Sequence, residues 1–370
     1  MQMKLTETFD STDLELIILL QEKPIANYSL IGKLLGLSSP TVKRRIDGLY
    51  SKVINRIVAI PKYSRLNLVP SSIFLEVNYT NFDKIEKIID LHPYLYFRVR
   101  TYGKINGIHA TFRLPQEGAN YLKSFVKELI NKNIAKNYLF FEHYSDYTIR
   151  GTPRFSAYTS KSGSWEFSWQ KWISTPKDKV SRKDPIDDNI EPPKQKEKNI
   201  EFSDLEILSL LSADSRQKNV NILNKLTEKL SPQRLSDKLQ EIKQKYISTY
   251  RVYLNWGVFD FTEVIFNVKT DSDFFKQLLS TYPPPFQTTF RDYVDTNGRK
   301  GFLLYLSCPP SHLIDAFESL MKISNDVELY LMNRKQQYRA PLNIKAFDKK
   351  KMDWIVSEDY LVLNLFENKI

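Results

Sequence analysis

The sequence predicts an α+β chain built as two tandem copies of one unit, each a three-helix segment and a strand followed by a βαββαβ sheet domain. Three observations carry this. Hydrophobic periodicity gives the same element order in both halves, short identities recur at a nearly constant spacing, and a charged, proline-rich stretch divides the copies. Asp13-Leu14-Glu15 returns as Asp204-Leu205-Glu206, Leu37-Ser38 as Leu230-Ser231, Ala157-Tyr158 as Ala346-Phe347, and Trp165 as Trp354. The stretch from Ser174 to Lys198 holds four prolines and almost no apolar residue. It has too little to bury to order itself and is expected to be a linker.

Composition sets outer limits. A chain of 370 residues exceeds one ordinary domain, and a 42% hydrophobic content supports several modest cores. Lys and Arg number 54 against 43 Asp and Glu, a formal charge of +11 that favours an anionic partner. No apolar run is long enough to span a membrane, and the N-terminus lacks a signal-peptide core, so a cytoplasmic protein is expected. Cys308 is the lone cysteine, which excludes internal disulfides and cysteine-based zinc sites. His92, His109, His143 and His312 lack metal-ligand spacing, and no cofactor or metal is expected.

In the first copy, Asp10 or Ser11 caps a helix with Leu14, Ile17 and Ile18 on one face, stopped by Pro24. A second helix runs from about Ser29. Gly36-Leu37-Ser38 turns the chain, glycine tolerating a left-handed backbone and serine capping the next helix. Val42, Ile46, Leu49 and Val53 then form the inward stripe of that third helix. Leu235, Leu239, Ile242 and Tyr246 repeat the spacing in the second copy. Three short helices with a tight turn before the last are the helix-turn-helix pattern, whose third helix enters the DNA major groove. The strand-like runs Arg56–Ile60 and Thr249–Leu254 suit wings, with Arg56 and Arg251 placed to touch phosphates.

The expected DNA contacts are Ser39, Thr41, Lys43, Arg44, Arg45, Lys52 and Arg56 in the first copy, and Arg234, Lys238 and Lys245 in the second. The second face carries Asp237 and Glu241 where the first has Arg44 and Gly48. Carboxylates there repel phosphate, so the second reader is expected to be weaker or tuned to another sequence.

Each sheet domain runs strand, helix, strand, strand, helix, strand. The first has strands near 72–77, 94–101, 107–114 and 135–144 and helices near 82–91 and 119–131. The second has strands near 262–268, 287–294, 301–307 and 327–332 and helices near 273–280 and 311–323. Such a sheet keeps one face open, and in a tandem chain the other copy covers it, giving a pseudo-dimer. The expected boundaries are a winged helix-turn-helix at 1–62, a ferredoxin-like domain with an aromatic tail at 70–173, and the linker at 174–199. A divergent winged helix-turn-helix comes next at 200–256, then a second ferredoxin-like domain with its tail at 260–370. The tails hold Trp165, Phe167, Trp169, Trp172 and Trp354, either a stacking platform or a hairpin covering the core or the joint between copies.

Each half resembles the Lrp/AsnC family of feast/famine regulators. The resemblance is carried by Asp13-Leu14-Glu15, by Ile31-Gly32-Lys33-Leu34-Leu35-Gly36-Leu37-Ser38, and by Thr41-Val42 with Arg45-Ile46. It implies a DNA-binding transcriptional regulator, here in a double-length form expected in archaea, with double-stranded DNA as partner and sometimes a small effector. The family's effector turn corresponds to Gly103 and Asn106, and in the second copy to Gly298, with its aspartate missing from both.

Two other functions compete. Siroheme decarboxylases look like this family and pair two such units. Their chemistry needs histidines and arginines around a tetrapyrrole; His92, His109 and Arg98 or Arg100 are conceivable, but the second half has only His312. No clustered base, nucleophile or metal site is evident, so a non-enzyme is expected. The other competitor is a protein-interaction adaptor that has lost its DNA contacts.

Overall fold

The computed structural model describes residues 9–143, 149–159, 164–180, 200–271 and 273–367. Three helices open the chain: α1 (Ser11–Glu22), α2 (Tyr28–Leu35) and α3 (Ser39–Lys52). Asp10, Asn27 and Ser38 cap them, each side chain accepting a backbone N–H of the first turn. Gly36 takes the left-handed conformation (φ 66°) that lets the chain reverse between α2 and α3.

The first sheet segment comprises β1 (Ile54–Pro61), β2 (Leu68–Glu76), α4 (Phe82–Leu91), β3 (Leu95–Gly103), β4 (Gly107–Pro115), α5 (Gly118–Asn131) and β5 (Asn137–Glu142). A tail adds β6 (Ile149–Gly151), β7 (Tyr158–Thr159), β8 (Ser164–Trp165) and α6 (Trp169–Ile173). The order then returns with α7 (Phe202–Ala213), α8 (Asn219–Leu223), α9 (Pro232–Lys245), β9 (Ile247–Leu254), β10 (Thr262–Val268) and α10 (Asp273–Thr281). It continues through β11 (Gln287–Asp295), β12 (Lys300–Cys308), α11 (Leu313–Met321) and β13 (Val327–Arg339), and ends with β14 (Phe347–Asp348), β15 (Asp353–Trp354) and α12 (Asn364–Glu367). The architecture is mixed helix and strand with an N-terminal helix-turn-helix.

Strand pairing joins the halves. The order β12-β10-β13-β3-β4-β2-β5-β11 closes on itself because β11 also pairs with β12, so eight strands form a barrel, and β6 pairs alongside β11. The seams are β13 on β3 and β11 on β5. Closure removes the open sheet faces from water. One end of the barrel is plugged by Phe74, Ile105, Phe141, Ile265, Tyr293, Leu303 and Tyr330, all buried.

The helices pack outside in two cores that cross between the halves. α1 to α3 and the first tail share a core with the helices of the second sheet segment. α7 to α9 and the C-terminal tail share one with α4 and α5. Trp172 Nε1 donates to the Tyr282 carbonyl (2.6 Å) and Trp354 Nε1 to that of Leu66 (2.7 Å). Trp165, Trp169 and Trp172 are buried, so the aromatic tail is a cover over the other half and not a stacking platform.

Two expectations need correction. β1 and β9, the expected wings, pair antiparallel with each other, so neither of these two strands is free as a wing. The expected linker at 174–199 is not free at its start, since Val180 is buried and the Lys179 carbonyl accepts from the Tyr282 hydroxyl. Residues 181–199 of that stretch lie outside the described residues.

Candidate functional site

Alternation along the barrel strands builds a cavity beyond the plug. Two residues from plug residues Tyr293, Leu303 and Ile265 stand Arg291, Tyr305 and Glu263, which line it. Five strands each supply one arginine: Arg56 from β1, Arg150 from β6, Arg251 from β9, Arg291 from β11 and Arg339 from β13. Tyr96, Tyr253, Trp256, Thr111 and Gln287 fill in between, around a volume of about 280 Å³. Glu263 is the one carboxylate among the described lining residues, and it stands 3.6 Å from Arg334.

Aromatic rings hold the guanidinium groups in place. Arg56, Arg251 and Arg339 lie 5.4, 5.1 and 4.7 Å from the ring centre of Tyr253. Arg339 also sits 4.5 Å from Phe97. Burial, followed by the neighbouring guanidinium groups, pushes Arg251 and Arg291 down to about 10. They stay charged at neutral pH, so like charges face each other in a desolvated space, an arrangement that costs free energy until an anion enters. Arg150 Nε is buried without a hydrogen-bond partner among the described residues. The cavity fits a ligand with several carboxylates, which arginine forks match in pairs.

His109 lies one contact behind the cavity wall. Its Nδ1 faces the Ile73 carbonyl (3.0 Å), which only accepts, so Nδ1 carries the proton. Nε2 then accepts from the Tyr305 hydroxyl at 2.8 Å. Burial pushes His109 down to about 3, which keeps it neutral. The other tetrapyrrole candidates lie elsewhere. His92 packs on Phe112 and Phe125, and His312 Nε2 donates to the Trp165 carbonyl (2.9 Å). Arg98 is bound by Glu86 and Asp90, and Arg100 by Asp83 and Glu86, against α4. The cavity arginines were missed as a set because each sits in a different strand. Their signal is one arginine at an inward position of several otherwise apolar strands.

The helix-turn-helix faces differ from expectation at matching places. Ser39, Lys43, Arg44 and Lys52 are exposed on α3, and Thr41 shares a hydrogen bond with the Ser38 hydroxyl (2.9 Å). Arg45 instead turns back to Asp10 and Asp13, both at 2.8 Å. Lys238 on α9 is buried against Glu201 (2.5 Å) and Asp204 (2.6 Å). Arg45 and Lys238 fasten the third helix to the first and do not face a groove. Arg234 is exposed, while Lys245 pairs with Glu241 (2.6 Å). Arg56 and Arg251 face the cavity because β1 and β9 pair with each other.

The expected effector residues lie in hairpin turns away from the cavity. Gly103 N donates to Asn106 Oδ1 (3.1 Å) between β3 and β4, and Gly298 closes the β11–β12 turn with φ 74°. A Cβ on Gly103 would collide with the Leu329 carbonyl oxygen, so close strand approach explains this glycine. Among the described residues no cluster suited to a metal is present, and no helix is long and apolar enough to cross a membrane.

A model of the AsnC-type helix-turn-helix domain matches residues 9–49. No curated protein matches the chain. Among solved structures, the siroheme decarboxylase NirDL is similar over 96% of this chain and 98% of its own, with 12% identity and a TM-score of 0.56. The same enzyme in co-complex with an iron-uroporphyrin III analogue is similar over 90% of this chain and 94% of its own, with 12% identity and a TM-score of 0.55. An AsnC family transcriptional regulator from Agrobacterium tumefaciens is 20% identical, covering 36% of this chain and 88% of its own, with a TM-score of 0.31. The chain thus carries an AsnC-type helix-turn-helix on a fold shared, nearly end to end, with an enzyme. That likeness overturns the expectation of a non-enzyme.

Proposed function

We propose that the chain binds a polycarboxylated small molecule in the arginine-lined cavity and acts on it as an enzyme of the siroheme-decarboxylase kind. The carrying observation is the convergence of five arginines on one cavity with a single carboxylate among its described lining residues. The fold shared with siroheme decarboxylase makes a carboxylated tetrapyrrole the first candidate. At about 280 Å³ the cavity falls just below the roughly 300–1,000 Å³ of pockets that enclose a whole drug-sized ligand. It takes the carboxylated arms while the ring lies across the mouth. The arginines grip and orient the arms, and Tyr305, held by neutral His109, presents its oxygen to the ligand.

Uroporphyrin titration, followed by its visible absorbance, tests binding. Arg251→Ala and Arg291→Ala should each weaken it by about tenfold, the loss of one charge-assisted contact. Mass spectrometry of siroheme after incubation tests for loss of carboxyl groups. Unchanged affinity in both variants would overturn the cavity assignment.

A second function is favoured by the AsnC-type match and the exposed Ser39, Lys43, Arg44 and Lys52: double-stranded DNA binding by the first helix-turn-helix, and regulation of transcription through it. The recurring element order and the paired β1 and β9 support a duplicated chain acting as its own pseudo-dimer.

A further inference from the structure

We propose that Tyr253 is the cavity's general acid: its phenol gives a proton to the ligand carbon that loses carbon dioxide, and the phenolate left behind takes over the guanidinium partners of the departed carboxylate. This rests on the polycarboxylate function above and names the group that supplies its proton.

Strand geometry puts Tyr253 at the centre of the positive charge. Alternation along β9 sets it on the same cavity face as Arg251, and the antiparallel register sets Arg56 of β1 directly opposite. Arg339 of β13 completes the set. The guanidinium groups of Arg251, Arg56 and Arg339 lie 5.1, 5.4 and 4.7 Å from its ring centre. Cations at that range are drawn to the ring face of a phenol that keeps its proton. The Tyr253 hydroxyl is buried and has no hydrogen-bond partner among the described residues. The Tyr96 phenol of β3 stands beside it, without the alignment of a hydrogen bond. The Tyr253 proton is therefore uncommitted. Tyr305 differs, because its hydroxyl donates to His109 Nε2 while the His109 Nδ1 proton is fixed on the Ile73 carbonyl. The rival acid is Glu263 of β10. It stands 3.6 Å from Arg334 and also faces Arg339 and Arg251, so it already serves those cations.

The step balances in atoms and in charge. The bond between the methylene carbon of an acetate arm and its carboxylate breaks, and carbon dioxide leaves. The bonding electron pair stays on the methylene carbon and takes the Tyr253 proton, so the arm ends as a methyl group. No oxidant or reductant is needed. The carboxylate's negative charge is lost as neutral carbon dioxide, and the Tyr253 phenolate restores it at the same three guanidinium groups. In a desolvated cavity this exchange spares the arginines an unpaired state. Solvent returns the proton to Tyr253 after the product leaves.

The test uses the full chain. Tyr253→Phe keeps the ring for the guanidinium groups and removes the proton. It should bind uroporphyrin as wild type does, by visible absorbance. By mass spectrometry it should remove carboxyl groups from siroheme at least about a hundredfold more slowly, the usual worth of a general acid. Fluorotyrosine installed in place of Tyr253 keeps a donor and changes only its acidity. The alkaline limb of its pH–rate profile should move to lower pH by as much as fluorination acidifies free tyrosine. A packing role for Tyr253, or proton delivery by Glu263, would leave that limb in place. A wild-type rate in Tyr253→Phe, or an unmoved limb, overturns the general acid and leaves the cavity assignment standing. Should Tyr253→Phe not fold or not bind, the fluorotyrosine chain decides. If wild type takes no carboxyl group from siroheme, the enzyme function and the general acid fall together, and uroporphyrin binding still decides the polycarboxylate site.

Discussion

Arg45 on α3 ties that helix to carboxylates at the start of α1, and Lys238 on α9 does the same toward α7. Lys238 is the more buried of the two, and its removal leaves the buried Asp204 without its cation. Lys238→Ala should cost about 3 kcal/mol of stability in urea unfolding, as for breaking a buried pair from one side. Lys43→Ala and Arg44→Ala, on the exposed face, should leave stability unchanged. If the first unit binds DNA, each should lower the salt slope of binding by about 1. Asp13 and Asp204 stood out in the sequence as matching residues, and each accepts the cation that fastens its helix. Which of two adjacent arginines turns inward was not visible, since Arg44 and Arg45 differ by a fraction of a helical turn and only the partner decides. His92 adds a pH dependence. Burial between Phe112 and Phe125 brings it to about 3, against about 6.5 when unfolded. Between those values the unfolded chain binds a proton that the folded chain refuses, so stability falls as pH drops from 6.5 toward 3. His92→Asn retains an acceptor for the Tyr94 N–H, a role now filled by Nδ1. Thermal melts of this variant should show a shallower acid slope than wild type.

Element ends show where periodicity stops being informative. Helix α4 and strand β10 fall on the residues their apolar patterns predict, because each buries one face against a core within reach of its own sequence. β13 runs seven residues past its predicted end at Met332, to Arg339. Its extension is polar and reads as loop, yet Gln337 to Arg339 pair with β3 of the other half. The arginine cavity was hidden for the same reason, since β1, β9 and β13 acquire their inward faces only when the halves combine. Gly103 marks that seam. Its φ of 152° and the Leu329 carbonyl against its absent side chain leave no room for a methyl group. Gly103→Ala should destabilise the chain by about 2–3 kcal/mol through backbone strain and a parted strand pair. Gly298→Ala has open space around its Cβ and only a left-handed φ to resist it. It should cost about 1 kcal/mol. Equal losses in the two variants, measured by urea unfolding, would show that the seam does not depend on close strand approach.

At the scale of the whole molecule, each half is completed by the other. Helices α1 to α3 and the tryptophan tail cover the second sheet segment, and α7 to α9 and the C-terminal tail cover the first. The β13–β3 and β11–β5 seams close the barrel, and β1 and β9, which pair with each other, both line the cavity. Cutting the chain between the halves therefore leaves the crossed cores and both seams in place. A protease site inserted within residues 181–199 and cleaved in the folded protein should give two fragments that co-elute at the size of the intact chain. They should separate only in denaturant, and the nicked protein should keep its cavity arginines together and its affinity for uroporphyrin. The fragments expressed singly should fare differently, because each exposes the apolar surface its missing partner covers, Trp165 and Trp172 in one and Trp354 in the other. Soluble, monomeric single halves with cooperative unfolding would show that the crossed packing is dispensable, and with it the physical basis for a pseudo-dimer.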